Sequence, residues 1–263
     1  MLDRGVEEVS RAQVARQSAE ELLTDGIPLG LSVLAAAEYA QECRNLLDQL
    51  GEQDSLLAIK LRAAALIVPS ALRSAQSDLD AAIAEADDLS RDVQQSEGEV
   101  ARGYALAAWG MTRPGPEHTL RRVRVAEEIL DIAAQHEETN LIPIGYALLL
   151  TGLLEQGEIR SLDTELLERR TAYAALRERP YANPAVWFRC LRLILDGDAE
   201  GAERQAELLF EQSPRSGTVA RALYTTQIGM IRWMQGRVDG AEEGFLAARR
   251  EYPEQLLWPA SLA

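Results

Sequence analysis

Three glycines recur at a nearly constant spacing, and this spacing constrains the fold more than any other feature of the sequence. Gly157, Gly197 and Gly236 follow one another at almost equal intervals, and each stands between an apolar helical run and an acidic or alanine-rich one. Periods of roughly 20 to 50 residues built from helix–turn–helix units are typical of tetratricopeptide-like solenoids, because one helix pair cannot bury its apolar stripe alone. Both intervals fall in this range, so the spacing predicts a stack of helix pairs.

The last two copies of the pattern also agree in detail. The segments LRLILDGDAEGAERQAELLFEQSP and IRWMQGRVDGAEEGFLAARREYP align on their turn glycines. We call the step along the chain that carries Gly197 onto Gly236 the repeat shift. In both copies an alanine and then a proline follow the glycine at equal distances, at Ala202 and Ala241 and at Pro214 and Pro253. Agreement at three positions makes the repeat specific.

The composition favours helices throughout. Aromatic residues make up only 5% of the chain, and no segment sustains the alternation of Val, Ile, Thr and Tyr that is typical of strands. We therefore predict an all-α fold, an α-solenoid of tetratricopeptide-like helix-turn-helix repeats with about 12 to 13 helices. Residues 1–263 are expected to form a single repeat domain, with less regular helices over 1–96 and regular helix pairs over 97–263. Because the last residues read as the opening of another helix, we expect a piece of a longer protein.

Prolines, glycines and apolar spacing predict the helix limits. Pro69 is expected to end the third helix, and Pro116 to open the sixth. Asn183 is expected to cap the helix that begins at Pro184, and Asp198 the next one. The helix from Pro116 is expected to bury Leu120, Val123, Ala126, Leu130 and Ala133. The other predicted helices cover about 2–24, 31–50, 55–68, 70–93, 97–109, 144–156, 162–179, 218–235 and 238–252.

The charge balance excludes some partners. The chain carries 42 acidic and 27 basic residues, a net charge of −15, and such a field repels phosphate backbones. We therefore expect no direct nucleic-acid binding. Lys60 is the single lysine beside 26 arginines, a usage associated with high-GC bacteria such as actinobacteria. No apolar run is long enough to span a membrane, so we expect no membrane association and a cytoplasmic location.

The residues that usually carry chemistry are few and scattered. His118 and His136 are separated by five helical turns, about 27 Å along one helix, and cannot share a metal ion. Cys43 and Cys190 lie on apolar stripes and are interpreted as core thiols. The adjacent acidic pairs point about 100° apart on a helix, as on a solvated face. We therefore expect no catalytic residue, metal or cofactor, and a protein that is not an enzyme.

Candidate binding residues follow from the repeat, because the first helix of each pair lines the concave surface of such stacks. Two series of positions, ten and three places before each turn glycine, are Ala147, Trp187 and Thr226, and Leu154, Ile194 and Trp233. With an earlier copy and a flanking arginine, the candidate set is Tyr104, Trp187, Arg192, Thr226 and Trp233. The aromatic residues either anchor a peptide helix or a small hydrophobic effector, or fill the core between repeats. Arg192 and Arg189 either contact an anion or pair with nearby acids.

Four segments carry a resemblance to a known family. They are YALAAWGMTRPGPEHTLRRVRVAEEILDIAAQ, YALLLTGLLEQGEI, RERPYANPAVWFRCLRLILDGDAEGAERQAE and MQGRVDGAEEGFLAARREYPEQLLWPASLA. In this order they resemble the helical-repeat region of LuxR-type bacterial regulators with an ATPase module, the MalT-like and AfsR-like signal-transduction ATPases. The resemblance covers residues 55–263, and the segment after Trp109 and Gly110 departs from the family's tighter turn.

The resemblance implies a regulatory part of such a protein. The phosphate-binding loop G-x-x-x-x-G-K-[ST] is missing, since Lys60 lies in SLLAIKLRA without a preceding glycine. A DNA-binding helix-turn-helix is also missing. The leading hypothesis is a non-catalytic module for contacts with another protein or with neighbouring domains of the same polypeptide. A small-molecule effector sensor that binds an inducer in the concave groove, and a helical-repeat enzyme, are the alternatives.

Overall fold

The computed structural model describes residues 2–24, 27–28, 33–50, 55–70, 76–94, 98–168, 184–211 and 218–251. Over these ranges the chain forms twelve α-helices and one short 3-10 helix, Pro116–His118, and no strand. The prediction of an all-α fold is confirmed. The helices are α1 Leu2–Thr24, α2 Val33–Leu50, α3 Ser55–Ser70, α4 Gln76–Gln94, α5 Glu99–Met111, α6 Thr119–Gln135, α7 Leu141–Glu155, α8 Ile159–Glu168, α9 Pro184–Leu195, α10 Ala199–Glu211, α11 Thr218–Met234 and α12 Val238–Glu251.

Two prolines lie inside helices, where the limits predicted from the sequence did not place them. Helix α3 continues through Pro69 to Ser70, since the last turn can lose one amide without breaking. Helix α7 begins at Leu141, so that Pro143 stands in its first turn, where the amide has no helical partner. Pro116 opens a 3-10 turn that leads into α6, close to the predicted start.

The chain divides into two compact units. The first comprises Met1–Leu29 and Leu34–Gln156 and holds α1 to α7 apart from Val33, the first residue of α2; the second comprises Gly30–Val33 and Gly157–Ala263 and holds α8 to α12. The expectation of one continuous repeat domain stays a prediction.

Neighbouring helices pair in the first unit in a regular way. Each of the helices α3 to α6 packs on the next one in sequence, and in addition α1 packs on α3, α3 on α5, and α5 on α7. Helix α5 therefore packs on both its neighbours, α4 and α6, and on the odd-numbered helices α3 and α7. Helix α3 shows the result, because every residue from Ala63 to Val68 is buried. A helix that is apolar all round is an interior helix.

The second unit repeats the same neighbour order. Helix α9 packs on α10 and on α11, α10 packs on α11, and α11 on α12. The core between them consists of Cys190, Ile194, Ala202, Ala206, Ile228 and Ile231. Ile228 and Ile231 of α11 thus share one core with both helices of the preceding pair.

The buried face of α6 agrees with the prediction at Ala126, Leu130 and Ala133 and differs from it in the first turn. Leu120 was expected inside but is 64% exposed, while Thr119 and Arg122 are buried. The Arg122 side chain forms an ion pair with Glu155 at the end of α7, and the Thr119 hydroxyl donates to the same carboxylate at 2.6 Å. Because a carboxylate of the next helix accepts both donors, the polar residues take the interior position and the leucine faces outward.

Several predicted features lie outside the described residues. These are the cap at Asn183, the helix limit at 179, the paired prolines Pro214 and Pro253, and the segment after residue 251.

Candidate functional site

The turn glycines share one backbone conformation. Gly157, Gly197 and Gly236 have φ of 71°, 79° and 72°, and no other described glycine lies in this left-handed region. A left-handed residue after the last helical turn is a common helix terminus, and glycine adopts it without a side-chain clash. The predicted role of these glycines as turn residues is confirmed.

Four backbone hydrogen bonds of the Gly197 turn recur in the Gly236 turn under the repeat shift. The amide of Asp198 donates to the carbonyl of Leu193 at 3.0 Å, and that of Arg237 to Arg232 at 2.8 Å. A bond of this span is the mark of a Schellman motif. The bonds from 196 to 192, 197 to 194 and 202 to 198 recur as 235 to 231, 236 to 233 and 241 to 237. The two turns are copies in geometry as well as in sequence.

The helices on either side of these turns pack at equivalent positions too. In the first pair Cys190 of α9 and Ala206 of α10 are buried in one core, and the Cys190 thiol donates to the carbonyl of Ala202 at 3.4 Å. In the second pair the same positions hold Gly229 and Phe245, and a Cβ on Gly229 would overlap the Phe245 ring. A smaller residue on one helix is thus matched by a larger one on its partner. The repeat register therefore extends into the core.

The Asp198 cap is specific to the first of these pairs. The amide of Gly201 donates to the Asp198 carboxylate at 2.9 Å, as predicted for a helix N-cap. At the equivalent place before α12 stands Arg237, whose side chain has no oxygen to accept such a bond.

Trp187 and Thr226 occupy equivalent positions on α9 and α11, and both are half-buried. The side-chain amide of Gln227, next to Thr226, donates to the carbonyl of Trp187 at 3.3 Å. This bond joins α11 to α9 at the level of both candidate residues.

Arg192 is fully engaged by acids of its own unit. Its guanidinium donates to Asp163 of α8 at 2.8 and 3.3 Å and to Asp196 at 2.6 Å. These bonds to Asp196 and Asp163 raise the pKa of Arg192 above its ordinary value. Arg189 donates to the carbonyl of Leu166 at 3.3 Å. Both arginines hold α8 against α9.

Trp233 stands apart from the other candidates. It is 70% exposed, whereas its repeat equivalent Ile194 is only 3% exposed and belongs to the core of the second unit. Ile194 lies in one buried cluster with Ile228 and Ile231 of α11. The series that lies three places before the turn glycine therefore marks the face on which the next helix packs.

Tyr104 lies in the first unit and is fully buried. Its hydroxyl donates to one oxygen of Glu138 at 3.0 Å, and the other oxygen of Glu138 pairs with Lys60 at 2.7 Å. The Lys60 ammonium also lies 5.1 Å from the centroid of the Tyr104 ring. Burial and the Glu138 charge raise the pKa of Tyr104. The only lysine of the chain thus balances an interior carboxylate.

A second polar cluster was not singled out from the sequence. The Trp109 ring has the guanidinium groups of Arg113 and Arg121 at 4.9 and 4.0 Å from its centroid, and Arg113 pairs with Asp87 at 2.6 Å. Burial lowers the pKa of Arg113, and the Asp87 charge opposes this effect. The sequence feature that could have indicated this cluster is the position of Trp109 shortly before Arg113 and Arg121.

The two thiols are suited to packing. Cys43 and Cys190 are both buried and free, and burial raises their pKa values to about 12 and about 11. A thiol with a raised pKa is a poor nucleophile at neutral pH. Among the described residues no group of three or more His, Cys, Asp or Glu side chains is arranged to hold a metal ion. Nor does any described helix have the length and apolarity to cross a membrane.

Comparison with protein-family models, with curated proteins and with solved structures gives no match for this chain.

Proposed function

We propose that this chain is a non-catalytic helical-repeat module that binds another protein or a neighbouring domain, as a regulatory part of a LuxR-type signal-transduction protein. The observation that carries the proposal is the repeated turn, which keeps the same glycine conformation and the same hydrogen bonds under the repeat shift. Such units stack into a tetratricopeptide-like solenoid, whose extended surface is suited to contacts with other polypeptides.

The distribution of side chains supports a binding role over a catalytic one. The thiols are buried, and the candidate cation Arg192 is neutralised by two aspartates. By contrast, Trp233 exposes a large aromatic surface, and exposed aromatic side chains are frequent anchors of protein interfaces. The regulator family is proposed on the sequence resemblance alone, and the acidic charge favours a role other than DNA binding.

The alternative is an effector sensor that uses the half-buried Trp187 and Thr226 on neighbouring helices. Aligned polar and aromatic groups at one level of two helices are the kind of lining that a small ligand uses.

The purified chain is tested in two experiments, one with proteins and one with small metabolites. In the first, proteins captured from extracts of the source organism are purified and titrated into the chain by calorimetry. The Trp187→Ala variant is titrated in the same way, with Leu208→Ala, at an exposed residue of α10, as the control. Saturable binding of one protein supports the module. If instead no protein binds and one class of small metabolites raises the melting temperature by several degrees, the sensor is correct.

The regulator assignment has a separate test. The reading frame around the coding sequence should contain a nucleotide-binding loop upstream and a basic helix-turn-helix downstream. A frame without either removes this part of the proposal and leaves the binding module standing.

A further inference from the structure

The first half of α6 carries exposed positive charges on a chain whose net charge is −15. Leu120, Arg121 and Arg124 are all exposed, Leu120 to 64%. They lie on one side of the helix, because residues three and four apart are neighbours on a helix surface. We call these three residues the α6 patch.

The two arginines of the α6 patch have no acidic partner. Arg122, which lies between them in sequence, pairs with a carboxylate on α7. Among the described residues no carboxylate pairs with Arg121 or Arg124. Glu117, one turn before Arg121, lies instead 3.5 Å from the ring nitrogen of His118. Both guanidinium groups are therefore available to an acid from outside the described part of the chain.

An aromatic ring holds Arg121 in place. Its guanidinium lies 4.0 Å from the centroid of the Trp109 ring, and Trp109 itself is only 4% exposed. The ring attracts the positive charge, but it is not a partner for the five N–H donors of a guanidinium, which match the oxygens of a carboxylate. Since the ring already restricts the side chain, an acid that binds Arg121 loses less conformational entropy in ordering it.

The positions of these arginines oppose the stability of the helix. Positive charge is unfavourable near a helix N-terminus, and the first turn of α6 contains Arg121 and no acidic residue. Arg124 follows three residues later, a spacing at which like charges repel. Burial lowers the pKa of Arg113, and the nearby charge of Arg121 adds to this effect. A negative group bound to the α6 patch offsets all three repulsions.

We propose that the α6 patch binds an acidic segment of a partner polypeptide, with carboxylates on Arg121 and Arg124 and an apolar side chain on Leu120. The charge of the patch determines the sign of the partner. The exposed leucine favours a polypeptide, which supplies apolar and acidic side chains together. This rests on the proposed function as a binding module and names a surface and the chemistry of its partner.

The test uses a short fluorescein-labelled peptide in which leucines alternate with pairs of glutamates. It is titrated with the whole chain by fluorescence anisotropy at about 0.15 M salt, where the charges of distant acids are largely screened. We expect saturable binding that Arg121→Glu in the chain weakens at least about tenfold. Arg204→Glu, at an exposed residue of α10, changes the net charge equally and should alter the dissociation constant less than about twofold.

Further variants separate the contributions. Arg124→Glu should also weaken binding, and it leaves the contact between Arg121 and Trp109 intact, so that a loss of binding does not depend on this contact. Leu120→Ala should weaken binding severalfold. A peptide with glutamines in place of the glutamates should not bind. A peptide with lysines there should bind the Arg121→Glu chain more tightly than the wild-type chain.

Four results overturn the proposal. The first is no saturable binding below about 1 mM. The second is equal weakening by Arg121→Glu and Arg204→Glu, which would mean that only net charge matters. The third is equally tight binding of the glutamine peptide. The fourth is a single-stranded oligonucleotide that binds more tightly than the peptide and depends on Arg121, which would make a nucleic acid the partner. If a captured protein binds the Arg121→Glu chain normally, the proposed function stands and the α6 patch is not its site.

Discussion

The pairs α9–α10 and α11–α12 have the same turn and different surroundings. Both turns place a glycine at positive φ, 79° and 72°, with matching hydrogen bonds, and both second helices bury the equivalent alanine, Ala202 and Ala241. Yet Ile194 is buried and its equivalent Trp233 is 70% exposed. The turn is therefore determined locally, whereas burial of the position three places before the glycine depends on the helix that packs against it.

The largest effect is expected in the buried cluster that α11 forms with the pair α9–α10. Ile231 is fully buried between α9, α10 and α11, so Ile231→Ala should destabilise the chain by about 2–5 kcal/mol through lost contacts and a residual cavity. Met234→Ala on the exposed side of the same helix should change stability by less than about 0.5 kcal/mol. Chemical denaturation measures both. Equal losses of stability in the two variants would contradict the difference in burial between the two sides of α11.

The turn that both pairs share allows a second comparison, for which we expect losses of stability of intermediate size. Gly197→Ala and Gly236→Ala should each cost about 1–2 kcal/mol, because a side chain is strained at positive φ while neither site has an atom within 4 Å of the new Cβ. The two values should agree within experimental error. Gly240→Ala, inside α12, is the control and should stabilise by up to about 1 kcal/mol. A large difference between the two turn variants would contradict their structural equivalence.

The cap provides the third comparison. Asp198→Ala removes the bond to the Gly201 amide and should cost about 1 kcal/mol. Arg237→Ala, at the equivalent position, should cost close to nothing, and Arg237→Asp should stabilise α12 by about 0.5–1 kcal/mol, since it introduces both a cap and a negative charge at the helix start. Thermal unfolding of the three variants measures the order of their stabilities. Destabilisation by Arg237→Asp would show that the second helix starts differently from the first.

Local features could be predicted from the sequence. The spacing of the glycines, the Asp198 cap and the limits of α1 depend on residues close in the chain, and the structure agrees with each. The buried residues at the start of α6 could not be predicted, because Arg122 goes inside only when Glu155, on the following helix, is there to receive it. The spacing of apolar residues alone favoured a buried position for Leu120, which is exposed.

The candidate site shows the same limit. The position series grouped Ile194 with Trp233, but which of them is covered depends on helices outside the helix itself. Tyr104 was placed among the candidate binding residues by its position in the series, with a place in the core as the alternative, and it is fully buried beside Glu138 and Lys60. A pattern along one helix indicates which residues share a face. It does not indicate what lies opposite that face.

The most direct test of the account is the difference in unfolding free energy between Ile194→Ala and Trp233→Ala. If the two residues are equivalent in the repeat and differ only in cover, Ile194→Ala should cost about 2–4 kcal/mol and Trp233→Ala less than about 0.5 kcal/mol. Chemical denaturation of both variants beside the wild-type chain gives this difference. A cost for Trp233→Ala as large as that for Ile194→Ala would contradict the account, because it would place the tryptophan in a packed interior.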